Sequence, residues 1–149
     1  MTPINWQVGQ DLEARTLEPV TRLQLIKYAG ASGDFNPIHT IDEAAANAGL
    51  PGVIAHGMLT MARLSQLFSP YLLAHGFIKR FEARFVSMVF VGDVLTIGGQ
   101  TVGCMATEGG DLYSFTVFAK NQHGRPVVTG QVDFFVYRDE WRVVKPTSV

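Results

Sequence analysis

The hydrophobic pattern of this chain changes its period once, near residue 79, and this change limits the folds open to it. Before that point, apolar residues recur at helical spacing. From Lys79 onward they alternate with charged residues, as Phe81, Ala83 and Phe85 do. Alternation with a period of two is typical of a strand with one buried face. Helices followed by antiparallel strands predict an α+β domain in which a sheet wraps around one strongly apolar helix.

Start and stop signals predict three helices in the first half of the chain. Thr21 and Gln24 have the spacing of a capping box, and Gly30 supplies a stop for this short first helix. Asp42 is expected to cap a second, brief helix. The third helix begins at about Gly57 and is apolar around most of its circumference, which predicts that it is buried.

The second half is expected to form strands separated by glycine-containing turns. A sheet of this kind leaves an edge and an apolar flank uncovered, so we expect two protomers to pair as a homodimer or to form a higher homo-oligomer. The expected strands are a short one at 12–17, one that begins at residue 79, and others at 93–102, 112–120 and 127–137.

Composition sets the broad class of the protein. Apolar residues make up 47% and charged residues 17% of the 149 residues, which predicts one globular domain over residues 1–149 and excludes a disordered chain. The formal net charge of −1 gives no field that would attract nucleic acid or an anionic membrane, so neither partner is expected. With no signal-peptide pattern and no apolar span of bilayer length, we expect a soluble, cytoplasmic protein.

Some side chains are expected to have only a structural role. The single cysteine, Cys104, has no intrachain disulfide partner and is expected to be a small buried residue. The methionine and aromatic residues are most simply explained as core, including Met58, Met61, Phe81 and Phe85.

The most informative segment is YAGASGDFNPIH at residues 28–39. Pro37 fixes its own φ and keeps Asn36 out of the helical region, so Asp34 and His39 are expected on an irregular but stiff loop. A carboxylate and an imidazole can share general acid and base work near neutral pH. Singly, each residue is more often an ordinary loop residue. Their spacing and the proline between them favour a joint catalytic function.

This segment, together with IAHGML at residues 54–59, resembles the signature of the MaoC-like (R)-specific enoyl-thioester hydratases and related 3-hydroxyacyl-thioester dehydratases. A looser likeness extends over 85–96. The resemblance implies a hot-dog fold, in agreement with the order of helices and strands. It also implies a hydro-lyase of fatty acid metabolism. That enzyme would reversibly hydrate a trans-2-enoyl thioester, carried on coenzyme A or acyl-carrier protein, to the (R)-3-hydroxyacyl thioester.

The predicted catalytic residues follow from that reaction. We assign Asp34 as the base on water and His39 as the acid toward the α-carbon, although closely coupled groups can exchange these labels. Gly57, at the start of the apolar helix, offers an unpaired N–H and the positive end of the helix dipole to the enolate oxygen. In the resembling family the matching glycine amide forms the oxyanion hole.

Three further residues are predicted to support the site. The resembling family places a serine two turns into the third helix, and Ser65 matches it, although a serine on a buried helix also bonds by default to the carbonyl one turn back. Asn36 is expected to orient the loop or the water. His56 is expected to shape the entrance to the helix.

No metal and no cofactor is expected. Asp34, His39 and His56 carry metal-capable atoms but lack a recognised ligand spacing, and the predicted chemistry needs no metal. Four basic residues are candidates for binding the phosphates of a carrier, although a solvated strand face explains any single one as well. They are Arg63, Lys79, Arg80 and Arg84.

Two other functions compete with hydration. The hot-dog fold hosts several chemistries, so a thioesterase, in which water attacks the carbonyl carbon, is one alternative. A non-catalytic acyl-binding subunit of a heteromeric dehydratase is the other. Such a subunit would be expected to have lost Asp34 or His39, and this chain retains both.

Overall fold

The computed structural model describes residues 4–72 and 75–138. Within them, one antiparallel sheet of five strands has the spatial order β1-β3-β4-β5-β2, which leaves β1 and β2 at its edges. The strands are β1 (Asp11–Thr16), β2 (Gly76–Phe85), β3 (Thr96–Thr107), β4 (Gly110–Lys120) and β5 (Pro126–Tyr137). The helices are α1 (Arg22–Ser32), α2 (Asp42–Asn47) and α3 (Gly57–Leu64), with two 3₁₀ helices at Pro37–His39 and Ser65–Tyr71.

Aromatic side chains between the helical layer and the sheet form the centre of the core. Phe68, in the second 3₁₀ helix, is fully buried, and its ring centroid lies 5.2 Å from that of Phe115 and 5.7 Å from that of Phe134. Trp6 packs edge-on against the same two sheet residues. The sheet therefore wraps around α3 and its 3₁₀ extension, and the predicted α+β hot-dog fold is confirmed.

Helix α1 begins as predicted and ends three residues later than predicted. Thr21 and Gln24 form the reciprocal capping box. Gly30 stays helical, whereas Gly33 adopts a φ of 75° and ends the helix in the left-handed region. Glycine takes this conformation without a steric penalty, so Gly33 is the stop. The later stop places the next residue, Asp34, directly after a helix end.

Asp42 does not cap α2. It is the first residue inside the helix, and Ile41 stands at the capping position without a side-chain bond. The Asp42 carboxylate instead accepts a hydrogen bond from Arg22 at 2.5 Å. This ion pair joins the starts of α1 and α2, the two helices on either side of the segment that carries Asp34 and His39.

Helix α3 begins at Gly57 as predicted, but it is α-helical for only 8 residues and continues as a 3₁₀ helix through Pro70. It is buried on part of its circumference only. Met58 is 57% exposed and Phe85 is 48% exposed, so assigning these two side chains to the core was wrong. Cys104 is also exposed rather than buried. Within the described ranges, no helix combines the length and apolarity needed to cross a membrane.

Candidate active site

Local side-chain hydrogen bonds fix the loop that carries Asp34. The N–H of Asp34 donates to Ser32 Oγ at 3.2 Å, so the start of the loop is bonded to the last residue of α1. Asp34 Oδ1 accepts the N–H of Asn36 at 3.2 Å. Such an Asx turn is a conformation that Asp adopts readily, because its side chain is short enough to reach the backbone two residues ahead. One carboxylate oxygen is thus held by the loop.

The next residues turn the chain and bury His39. Asn36 Oδ1 accepts the N–H of Ile38 at 3.3 Å, and Pro37 occupies the first position of the 3₁₀ helix, where its fixed φ suits the turn. Asn36 therefore orients the loop. His39, at the end of this turn, is only 8% exposed.

Asp34 and His39 face each other across a short gap. Asp34 Oδ2 lies 3.9 Å from His39 Nε2, which is too long for a direct hydrogen bond. The opposite ring atom, His39 Nδ1, lies 2.8 Å from the carbonyl oxygen of Ile54. Since a carbonyl oxygen only accepts, Nδ1 carries a proton, and Nε2 is the ring atom that can gain or lose one. The structure thus aims the exchangeable nitrogen of His39 at the Asp34 carboxylate.

His56 lies against both members of this pair. Its ring stacks on that of His39, with centroids 3.8 Å apart and planes 26° apart. Its Nε2 lies 3.1 Å from the main-chain carbonyl oxygen of Asp34 and must donate to it. The side chain is 1% exposed, and Tyr28 packs at a tilt against it at 4.9 Å. His56 is therefore part of the site rather than only the residue before α3.

Gly57 begins α3 directly after His56, so its amide has no acceptor within the helix. His56 makes no side-chain cap hydrogen bond. A Cβ added to Gly57 would lie 3.3 Å from the ring of Phe85, so this ring covers one side of the glycine. The start of α3 thus presents uncapped N–H groups and a positive dipole end beside the histidine pair.

Comparisons with known proteins identify the family of this chain. The family model for the MaoC-like domain matches residues 4–123. The chain belongs to the MaoC-like family. The mitochondrial 3-hydroxyacyl-[acyl-carrier-protein] dehydratase of Arabidopsis thaliana is 27% identical over 101 residues, which are 68% of this chain and 60% of that protein. The family predicted from the two motifs is therefore confirmed.

Two further relatives differ in how much of their length is matched. Fatty acid synthase subunit beta of Saccharomyces cerevisiae is 32% identical over 108 residues, or 71% of this chain, but the chain spans only 5% of that protein. The structure of an (R)-hydratase from A. caviae involved in PHA biosynthesis superposes with a TM-score of 0.73 and 26% identity, covering 86% of this chain and 95% of that one. These likenesses support the predicted hydro-lyase class.

No hydrogen bond joins Ser65 to Asp34 or His39 among the described residues. Ser65 stands at the C-terminal end of α3, about 12 Å along the helix axis from Gly57 at a rise of 1.5 Å per residue. Its hydroxyl donates to the carbonyl of Ala62 at 2.7 Å. That bond to the preceding turn is the default for a helical serine.

The basic residues separate into two environments. Arg80 pairs with Glu82 at 2.5 Å and with Asp133 at 3.7 Å, and the hydrogen bond to Glu82 raises the pKa of Arg80. Arg63 is buried and donates to the carbonyl of Glu18, and desolvation lowers its pKa although Glu18 raises it. The guanidinium of Arg80 already pairs with two carboxylates, which weakens its candidacy for phosphate binding, whereas Nη1 of Arg63 has no hydrogen-bond partner among the described residues.

Two contributors were missed from the sequence. Ile54 acts through its carbonyl, which no side-chain pattern reveals. Tyr28 opens the informative segment and packs on His56, and it also lines a cleft of about 620 Å³ between α1 and α3 that includes Leu59 and Arg63. A larger groove of about 740 Å³ lies on the outer face of the sheet. Its lining residues do not include Asp34, His39 or His56.

Asp34, His39 and His56 each place one potential ligand atom within 4.8 Å of the others. The two imidazole rings are stacked, however, so their in-plane lone pairs run side by side instead of converging as tetrahedral coordination requires. Nε2 of His56 is also committed to a carbonyl. The geometry therefore suits proton transfer better than metal binding.

Proposed function

We propose that this protein is a hydro-lyase that reversibly hydrates a trans-2-enoyl thioester, carried on coenzyme A or acyl-carrier protein, to the (R)-3-hydroxyacyl thioester. One observation carries the proposal: His39 Nε2, its exchangeable nitrogen, faces the Asp34 carboxylate at 3.9 Å. Membership of the MaoC-like family and the likeness to an (R)-hydratase support the reaction class and the product stereochemistry.

The pair supplies the two proton transfers that hydration needs. Asp34, as a carboxylate, takes a proton from water as the water oxygen bonds to the β-carbon, while His39, protonated at both ring nitrogens, gives its Nε2 proton to the α-carbon. The proton on Asp34 then passes to His39 Nε2, which restores both groups. Dehydration runs the same steps in reverse, with His39 Nε2 as the base on the α-carbon and Asp34 as the acid toward the leaving hydroxyl. The bond from Nδ1 to Ile54 keeps Nε2 as the atom that works in either direction.

The start of α3 supplies the third requirement. Negative charge develops on the thioester oxygen as the enolate forms, and the Gly57 N–H with the helix dipole would stabilise it there. Exposed apolar side chains next to the site suit an acyl group: Phe35 follows Asp34, Met58 follows Gly57, and the Phe85 ring lies against Gly57.

We also propose that the protein forms a homodimer or a higher homo-oligomer. The edge strand β2 pairs with β5 on one side, and beyond a single bridge between Gly76 and Leu72 it exposes its other edge. It carries the partly exposed Phe77 and Phe85 near its two ends. A second copy would cover both the open edge and these apolar groups. Light scattering on the purified protein measures the mass directly, and a monomer at all concentrations would contradict this proposal.

The activity is tested with crotonyl-CoA and longer enoyl-CoAs, by following the loss of the conjugated enoyl-thioester absorbance. Asp34→Asn and His39→Gln are each expected to lower kcat/KM by about 10²–10⁴-fold, because each removes one positioned acid or base. Asp11→Asn and His123→Gln make the same chemical changes at exposed positions outside the site and should keep wild-type activity.

Two outcomes would reject the proposal. One is full activity in folded Asp34→Asn or His39→Gln. The other is inert wild type with every enoyl-CoA and with enoyl-acyl-carrier substrates. Release of free thiol from a saturated acyl-CoA by the same preparation would instead identify a thioesterase.

A further inference from the structure

The proposed proton transfers do not use His56, yet it is one of the most buried polar side chains of the described chain, at 1% exposure. We infer that His56 is the positioning residue of the Asp34–His39 pair, an inference that rests on the proposed function. The His56 ring contacts both residues: it donates a hydrogen bond to the main-chain carbonyl of Asp34 and stacks on the ring of His39.

The contact with Asp34 fixes the position of the carboxylate. Side-chain bonds within the loop orient the Asp34 backbone locally, but they do not tie the loop to the rest of the protein. The hydrogen bond from His56 Nε2 to the Asp34 carbonyl does so, because His56 precedes α3. This bond fixes the distance between the base and the amide of Gly57.

The contact with His39 fixes the plane of the imidazole. The bond from Nδ1 to Ile54 leaves the His39 ring free to tilt about that bond. Stacking at 3.8 Å against His56 limits the tilt, and Tyr28 packs on His56 in turn. The direction of Nε2 toward Asp34 is therefore set by two contacts.

A histidine at position 56 does not favour the stability of the protein. It stands at the cap of α3, where Ser, Thr, Asp or Asn would bond to the first free amides, and it makes no such bond. Its Nδ1 is buried without a hydrogen-bond partner among the described residues. Unmet polar atoms of this kind are costly and rare. The contacts of its ring with Asp34 and His39 account for a histidine at this position.

Two substitutions separate those contacts. His56→Phe keeps a flat ring for stacking but removes the donor to Asp34, and His56→Gln keeps a donor near the position of Nε2 but removes the ring. We expect His56→Phe to lower kcat about 100-fold with KM nearly unchanged, since a small misplacement of a catalytic group costs that much. His56→Gln should recover about tenfold of this loss. His123→Phe, in an exposed turn, is the matched control and should behave as wild type.

A spectroscopic readout tests the inference separately from activity. The proton on His39 Nδ1, held by the Ile54 carbonyl, should give one sharp, slowly exchanging signal in the wild type and a broader, faster-exchanging one in His56→Gln, because the ring that limits the tilt of His39 is gone. Unchanged kcat in folded His56→Phe, a change confined to KM, or an unaltered Nδ1–H signal in His56→Gln would each overturn the inference. If the wild type hydrates no enoyl thioester, the proposed function fails, and the Nδ1–H measurement alone decides whether His56 positions His39.

Discussion

The sheet and the catalytic loop of this protein are held by different interactions. In the sheet, β3, β4 and β5 pair through long antiparallel ladders and enclose the fully buried Phe134. The loop at 33–39 is held by short side-chain bonds along 32–38, by bonds that join His39 and Ile38 to Ile54, and by the ring of His56. Stability should therefore depend mainly on the sheet, and activity on a few polar contacts that contribute little to stability.

The largest expected effect tests the sheet side of this comparison. Phe134→Ala should lower the free energy of unfolding by about 3–5 kcal/mol, because it removes a fully buried ring and leaves a cavity. Urea unfolding measures this loss. The kcat per folded molecule should stay close to that of the wild type. Phe77→Ala, at a position that is 41% exposed, is the control and should cost much less. Equal losses would show that the core is not where the structure puts it.

The second prediction concerns Tyr113, a buried sheet residue whose pKa is raised to about 12, chiefly by desolvation and also by Cys104. The unfolded phenol ionises near pH 10, so the folded protein holds the proton more tightly between the two values. The contribution of Tyr113 to the free energy of unfolding should be fully present below pH 10. It should be lost as the pH rises to 12, which lowers the free energy of unfolding by about 2–3 kcal/mol. Tyr113→Phe should remove this part of the pH dependence, and an identical slope in that variant would contradict the assignment.

Gly57→Ala changes the first residue of α3, which follows His56 and lies beside the catalytic loop. The new methyl group would meet the Phe85 ring at 3.3 Å, but this ring is 48% exposed and can shift. Alanine is also the better helix former, so stability should not fall. Activity should fall about tenfold, less than on removal of an oxyanion donor, because the methyl group crowds the approach to the amide. Wild-type activity in this variant would show that the substrate does not approach the Gly57 amide from the side of the added methyl group.

Sequence reasoning predicted the sheet better than the details of the loop. Strand positions follow from alternation over many residues, so all five strands lie near their expected places. The end of α1 was predicted at Gly30, but Gly30 stays helical and the left-handed backbone conformation at Gly33 ends the helix. A glycine alone therefore does not show where a helix stops, because its backbone conformation cannot be read from the sequence.

The site divides in the same way. Asp34 and His39 were predicted from one short motif, and the structure brings their side chains to 3.9 Å. The stacking of His56 on His39 joins residues seventeen positions apart in sequence and depends on the turn at Pro37. No local pattern encodes such a contact. Ser65 was predicted from a matching position along the chain, and its hydroxyl bonds to the carbonyl of Ala62, so its part in the site stays a prediction.

The smallest expected effect lies at the far end of the helix that leads into the loop. Thr21→Ala removes the capping box of α1 and should cost about 1 kcal/mol of unfolding free energy. The cap lies about 16 Å from the loop, since α1 has 11 residues at 1.5 Å each, so kcat and KM should stay unchanged. Thr40→Ala, at a threonine without a capping bond at a helix start, serves as the control for the substitution itself. If Thr21→Ala lowered kcat while costing no stability, the loop would depend on the whole of α1 rather than on its own bonds and His56. The contrast between the two regions would then fail.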